Sequence, residues 1–129
     1  LKSYMKSLLK LEEFALLICF SGIYFYYLEG SWSLFLLLFF VPDVSFLAYL
    51  VNPAIGAFFY NIMHHKGLIM LFLIIGHYFK IATMVDVSII FLAHSCFDRL
   101  FGYGLKYLDS FEHTHLGWIG KSGGKNLSN

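Results

Sequence analysis

The chain has 129 residues, of which 59% are hydrophobic and only 13% charged, with a formal net charge of +1. A soluble domain has about 25% charged residues, and one this short buries only part of its apolar surface, so the composition is typical of an integral membrane protein. The small net charge and the lack of a basic patch exclude a nucleic-acid-binding protein.

Four apolar stretches predict four membrane-spanning helices. They lie at residues 12–28, 33–51, 54–78 and 81–103. Each is close to the roughly 20 residues that cross a hydrocarbon core, and Gly30, Pro53 and Lys80 mark the breaks between them. His64 to Gly67 interrupt the third stretch. We expect one continuous helix there, because neither half alone is long enough to cross.

Basic residues lie mainly near the two ends of the chain. They are Lys2, Lys6, Lys10, Arg99, Lys106, Lys121 and Lys125, whereas the loops between the stretches contain only Lys80. The positive-inside rule therefore predicts cytoplasmic termini for an all-α, four-helix transmembrane bundle at residues 1–119, with a flexible polar tail at residues 120–129. The N-terminal segment lacks a signal-peptide cleavage site, so we expect it to remain as an anchor.

Ionisable side chains interrupt the apolar stretches at similar depths. Asp43 lies near the middle of the second stretch, His64 in the third, and His94 and Asp98 in the fourth. An Asp at the centre of a membrane helix costs about 2.5–3.5 kcal/mol, so such groups usually face inward and form a functional site. His94 and Asp98 share a helix face because they are four residues apart. We therefore predict that these four side chains converge in one buried site.

Three interpretations of this cluster are open. Hydrogen bonds between helices, each contributing under about 1 kcal/mol, would make it polar glue in a non-enzymatic assembly subunit. The second interpretation is a metal site, because His and carboxylate ligands suit Zn²⁺ and similar divalent metals. The protein would then be a metal-dependent membrane hydrolase. Asp43, His64, His94 and Asp98 would then be metal ligands or acid–base groups. The third interpretation is an ion or proton pathway, in which intramembrane Asp and His are common.

A polar segment follows the fourth stretch and carries two histidines, His113 and His115. One interpretation is an interfacial turn in which Trp118 is an aromatic anchor. Gly102 and Gly104 would alternatively let the chain fold back under the bundle, so that His115 caps the cluster from below. His115 is therefore a fifth candidate catalytic residue.

Two blocks of the sequence resemble the DUF4260 family. The first contains Pro42-Asp43-Val44-Ser45, Gly56-Ala57, Tyr60-Asn61 and His64. The second contains Ala93-His94, Phe97-Asp98-Arg99, Gly102-Tyr103-Gly104-Leu105-Lys106-Tyr107 and Thr114-His115-Leu116-Gly117. The resemblance covers about residues 11–119 and implies a small multi-span membrane protein, mostly bacterial, of unassigned molecular function. We therefore expect the bacterial inner membrane as the location and the lipid bilayer as the partner.

Overall fold

The computed structural model of the protein describes residues 2–119, most of which are helical. The α-helices are α1 (Lys2–Gly22), α2 (Trp32–Phe39), α3 (Pro53–His64), α4 (Lys66–Tyr78) and α5 (Ala82–Leu100). A π-helical turn, Ile23–Tyr27, extends α1, and a 3-10 helix, Val41–Leu50, follows α2. Two short antiparallel strands, β1 (His113–Thr114) and β2 (Gly117–Trp118), form a ribbon near the C-terminal end. The predicted all-α class is confirmed in its helical content.

Side-chain caps set the starts of three of the helices. The Ser31 hydroxyl accepts a hydrogen bond from the backbone N–H of Leu34, and the Asn52 side chain accepts one from Ile55. Such caps satisfy N–H groups that have no partner within the helix. Pro53 follows Asn52 as the first residue of α3, a position where its missing N–H costs nothing.

The third predicted helix is not continuous, and the expectation of one unbroken helix is wrong. α3 ends at His64 and α4 begins at Lys66, with a bend of 47° between them. His65 has extended backbone angles, and its Nδ1 accepts a hydrogen bond from the N–H of Leu68. The His65 side chain therefore acts as the cap of a new helix, which explains why the chain leaves the first one here.

The helices differ in their suitability for crossing a membrane. Among residues 2–119, Trp32–Leu50 is one continuous run of 19 residues that is long and apolar enough, and the bent pair α3–α4 qualifies as one broken span. α5 contains Asp86, Asp98 and Arg99 within 19 residues, and α1 begins at Lys2 among lysines rather than near residue 12. Length and composition thus identify one or two spans, compared with the four predicted.

α5 lies at the centre of the fold. α1 and α4 pack along it, whereas α3 packs mainly against the 3-10 helix. The side chains of Ile90, Leu92 and Cys96 on α5 are fully buried, as is Tyr24 from the π-helical turn. The Tyr24 hydroxyl donates a hydrogen bond to the carbonyl of Ser31 at 2.8 Å, which joins the end of α1 to the start of α2. Burial of α5 positions its polar face against the 3-10 helix and α3.

Candidate metal centre

Three helical segments bring together the four ionisable residues that the sequence places at one depth. Asp43 lies in the first turn of the 3-10 helix, directly after Pro42, and His64 is the last residue of α3. His94 and Asp98 lie one turn apart on α5. One ligand atom from each of the four lies within 4.8 Å of the others. The predicted convergence is therefore present in the structure.

Five of the six separations among the four ligand atoms of this cluster lie between 3.1 and 3.7 Å. His94 Nε2 lies 3.2 Å from Asp43 Oδ1, from Asp98 Oδ2 and from His64 Nε2. His64 Nε2 lies 3.1 Å from Asp98 Oδ2 and 3.7 Å from Asp43 Oδ1. A tetrahedral zinc ion with ligand bonds of about 2.0–2.1 Å separates its ligand atoms by about 3.3 Å. These five separations are close to that edge length.

The second ring nitrogen of His64 fixes its orientation. Nδ1 lies 2.8 Å from the carbonyl oxygen of Tyr60, and because a carbonyl only accepts, Nδ1 is the donor. A neutral His64 ring therefore presents the lone pair of Nε2 to the cluster, as in metal-binding histidines. The Tyr60 ring stacks on His64 with centroids 3.9 Å apart, and the Tyr60 hydroxyl is 3.4 Å from Asp98 Oδ2.

His94 is held differently. Its ring packs edge-on against Phe39, with centroids 5.0 Å apart. Its Nδ1 is buried and has no hydrogen-bond partner among residues 2–119. Apolar packing therefore holds His94 in place, and its polar contacts all come from Nε2.

The end of α3 adds to the electrostatics of the cluster. His64 is the last residue of this helix, where the unpaired carbonyls carry a partial negative charge that favours a nearby cation. Two carboxylates, Asp43 and Asp98, add two formal negative charges within the same few ångströms. The arrangement therefore attracts positive charge, whether from protons or from a metal ion.

Access to the cluster is from one side. Asp43 and Asp98 line a cavity of about 340 Å³ whose other walls are the rings of Phe46, Tyr60, Tyr103 and Phe111. The Asp43 side chain is 50% exposed, whereas that of Asp98 is 14% exposed and the two histidines are almost fully buried. A ligand would therefore approach past Asp43, between aromatic rings.

A buried lysine beside this cavity was not singled out by its sequence position. The ammonium of Lys106 has no hydrogen-bond partner in the described part of the chain and lies 3.9 Å from the ring centroid of Phe111 and 4.9 Å from that of Tyr60. Burial lowers the pKa of Lys106 to about 8, while Asp98 acts in the opposite direction. In the sequence, Lys106 is one of several basic residues after the last helix. The aromatic residues near it, Tyr103 and Phe111, are the signal that could have indicated a buried ammonium.

Asn61 on α3 holds the backbone of Lys106. Its Nδ2 donates to the Lys106 carbonyl at 2.8 Å, and its Oδ1 accepts from the Lys106 N–H at 2.6 Å. This pair of hydrogen bonds attaches the segment after α5 to α3, across 45 residues of sequence.

The structure does not bring His115 to the cluster, so its expected position as a cap from below is wrong. Its Nδ1 accepts a hydrogen bond from the N–H of Leu105 at 2.8 Å, and its ring lies against Gly104. His115 instead lines a separate cavity together with Glu13 and Lys66. The chain does fold back after α5, and His115 packs there beside Gly104 and Leu105.

The family model described as a domain of unknown function, DUF4260, matches residues 6–119. This match covers most of the chain and includes all four cluster residues. No curated protein and no solved structure matches the chain.

Proposed function

Because this chain belongs to the DUF4260 family, whose function is unknown, we propose a function for it from the chemistry of its cluster. Asp43, His64, His94 and Asp98 bind a divalent metal ion such as Zn²⁺, and the protein is a metal-dependent membrane hydrolase acting on a lipid or similar amphiphile. The observation that carries this proposal is the convergence of four ligand atoms within 4.8 Å.

The charges of the carboxylates and the tautomer of His64 both support a metal ion at the cluster. Two carboxylates and the Nε2 lone pair of His64 face a common centre, together with Nε2 of His94. Electron-rich atoms at such distances repel one another unless a proton or a metal ion lies between them. A divalent ion balances the charges of Asp43 and Asp98, and two histidines with two carboxylates are a ligand set suited to zinc.

The exposed apolar surface supports a membrane location. Large apolar side chains are more than half exposed on several helices, among them Leu36 and Leu37 on α2, Phe58 on α3 and Phe72 on α4. An apolar surface this extensive is unusual for a soluble monomer. We infer a protein of the bacterial inner membrane with four spans and cytoplasmic termini. Two of the spans are Trp32–Leu50 and the bent pair α3–α4, which satisfy length and composition, and α1 and α5 are the other two. The lipid bilayer is then the partner of these helices.

The cavity beside Asp43 suits an amphiphilic ester. Its aromatic walls, including Phe46 and Phe111, can pack against an acyl chain while the ester group reaches the cluster. In hydrolysis, the oxygen of water bonds to the acyl or phosphoryl centre, the bond to the leaving oxygen breaks, and a proton passes from the water to the departing oxygen. A bound zinc ion lowers the pKa of water to about 7 and polarises the ester oxygen.

Metal content tests the proposal. We expect the protein, purified in mild detergent and reconstituted with Zn²⁺, to contain about one zinc ion per chain when zinc is measured by elemental mass spectrometry. His94→Ala and Asp98→Asn should reduce it to background, whereas Asp86→Asn, which changes an acidic residue on the same helix outside the cluster, should not. Hydrolysis of fluorogenic lipid esters should follow the metal content.

The alternative is a non-enzymatic membrane protein, either an ion or proton pathway or an assembly subunit. In it, protons take the place of the metal and the cluster is polar glue between helices. Equal zinc content in the wild type and the Asp98→Asn variant would overturn the metal proposal in favour of this alternative.

A further inference from the structure

A second cavity, of about 630 Å³, contains none of the four cluster residues. It lies where the first turns of α1, the start of α4 and the end of α5 meet, with the ribbon along one side. The first residues of α1 and the end of α5, both near the termini for which a cytoplasmic location is proposed, contribute to its lining. Its lining combines charged groups and apolar walls, as the following contacts show.

Positive charge predominates in this cavity. Its charged lining residues are Lys6, Lys10, Lys66, Arg99, Glu12 and Glu13. The Lys66 ammonium binds both carboxylate oxygens of Glu13, at 2.6 and 2.5 Å, so these two charges neutralise each other. The remaining cations outnumber the remaining carboxylate, and the cavity therefore favours an anionic ligand.

Two hydrogen-bond donors in the cavity have no partner among the described residues, 2–119. The Arg99 guanidinium makes no hydrogen bond or ion pair with another residue in the range 2–119 and lines the cavity. The N–H of Leu105 donates to Nδ1 of His115, so Nδ1 carries no proton and Nε2 of the neutral ring is a donor. Burial, followed by the charge of Arg99, lowers the pKa of His115, which keeps the ring in that neutral form.

The backbone fixes the position of this histidine. A Cβ atom on Gly104 would lie 2.5 Å from Nδ1 of His115, closer than non-bonded atoms approach. Glycine at this position therefore lets the ring pack directly on the chain. The remaining walls include Leu9, Phe101 and Trp118, which offer apolar contact next to the donors.

We propose that this cavity binds the phosphate group of an anionic amphiphile. The planar guanidinium of Arg99 donates to two phosphate oxygens, as arginine does in bidentate phosphate recognition, and His115 Nε2–H donates to a third. The apolar walls contact the adjoining chain of the ligand. A phosphate that belongs to a membrane lipid and a free phosphate share this recognition chemistry. The site depends on the membrane location proposed above but not on the metal.

Tryptophan fluorescence gives a local measure of binding. The chain has two tryptophans, and Trp32→Phe leaves only Trp118, which lines the cavity. This variant is placed in phosphatidylcholine vesicles with increasing amounts of phosphatidic acid that carries brominated acyl chains. We expect half-maximal quenching at an about tenfold lower mole fraction of brominated phosphatidic acid than of brominated phosphatidylcholine.

Removing the donors should abolish this preference. Arg99→Gln should raise the half-quenching fraction about tenfold, which corresponds to about 1.4 kcal/mol, and His115→Phe should act in the same direction. Lys2→Gln, which removes an exposed lysine outside the cavity, should leave it unchanged. Reversal of quenching by inorganic phosphate would identify the phosphate group alone as sufficient, and lack of reversal would identify the lipid as the ligand.

Equal quenching by the two brominated lipids, or a preference that survives both Arg99→Gln and His115→Phe, would overturn the proposal. Chelation of the metal should leave the quenching unchanged. A failure of this site is therefore distinguishable from a failure of the metal-dependent hydrolase.

Discussion

The Nε2 atoms of His64 and His94 face each other at 3.2 Å, although the residues are 30 positions apart on different helices. Two imidazole lone pairs at this distance require a proton or a metal ion between them. Because Nδ1 of His64 already donates to the Tyr60 carbonyl, a proton on His64 Nε2 would make that ring a cation. The response of the protein to metals therefore decides between the two arrangements.

Thermal unfolding in mild detergent should depend on zinc. At a free Zn²⁺ concentration a hundredfold above Kd, binding to the folded state raises the free energy of unfolding by about 2.7 kcal/mol. His94→Ala should erase this increase, whereas His77→Ala, on α4 outside the cluster, should retain it. Identical melting of the wild type in chelator and in zinc would contradict the metal site, and His94→Ala would then cost only about 1 kcal/mol through a lost interhelical contact.

Stability should rise with pH because of Lys106. Its folded-state pKa is about 8, against 10.5 as its ordinary value, so between these pH values the unfolded chain binds the proton more strongly. The free energy of unfolding should therefore increase from about pH 8 to pH 10.5, by at most about 1.4 kcal/mol per pH unit. Below and above that window, the contribution of Lys106 to the free energy of unfolding should not change with pH. Chemical denaturation at several pH values should show a smaller slope for Lys106→Met than for the wild type. An unchanged slope would mean that the ammonium is not buried.

The amide of Asn61 should hold the segment after α5 in place. Asn61→Ala leaves the N–H and carbonyl of Lys106 without their partners, which costs about 1–3 kcal/mol if the groups stay buried. We expect faster protease cleavage within residues 102–119. Asn52→Ala, which removes the cap of α3 without touching Lys106, should lower overall stability without selectively exposing this segment. Equal cleavage patterns for the two variants would argue against a specific attachment.

Close packing of α3 on the 3-10 helix should make Gly56 intolerant of a side chain. A Cβ atom there would lie 2.3 Å from the Tyr49 ring, so Gly56→Ala must displace the segment that carries Asp43. Such overpacking costs about 1–3 kcal/mol, and we expect zinc affinity to fall as well. Gly22→Ala is the matched control, because nothing lies within 4 Å of its added Cβ atom. Denaturation and zinc titration of both variants in detergent measure the difference, and a well-tolerated Gly56→Ala would contradict this packing.

Reporter fusions test the proposed orientation in the membrane. Fusions at Ser31 and at Lys80 should report the outer side, and one at Asn129 the cytoplasm, because the basic residues concentrate at the two ends of the chain. An outer-side signal from the Asn129 fusion would rule out cytoplasmic location of both termini.

The residues of the cluster could be predicted because the relevant signal is local. Asp43, His64 and His94 each stand out within an apolar stretch, at similar distances from its ends, and His94 and Asp98 share a face by simple helical spacing. Polar residues that lie at the same depth on the inward faces of packed helices are necessarily close together in space. The sequence therefore contains enough information for the convergence, though not for the distances.

Other features depend on contacts that no local pattern shows. The break between α3 and α4 follows from a hydrogen bond that His65 makes to the N–H of Leu68, while the apolar residues on both sides are equally typical of a continuous helix. The burial of Lys106 depends on Asn61, far away in the sequence. A basic residue just after a membrane helix ordinarily faces water. The sequence position of Lys106 therefore indicated the orientation of the chain in the membrane and gave no sign that the ammonium is buried.

The 3-10 helix alters how far the chain reaches. It rises about 2.0 Å per residue, compared with about 1.5 Å in an α-helix. Trp32–Leu50 therefore reaches about 33 Å, whereas an unbroken α-helix of that length would reach about 28 Å and fall short of a hydrocarbon core about 30 Å thick. In the proposed four-span arrangement, tightening or relaxing this segment would change both its reach and the position of Asp43, and would thereby couple the bilayer thickness to the geometry of the cluster.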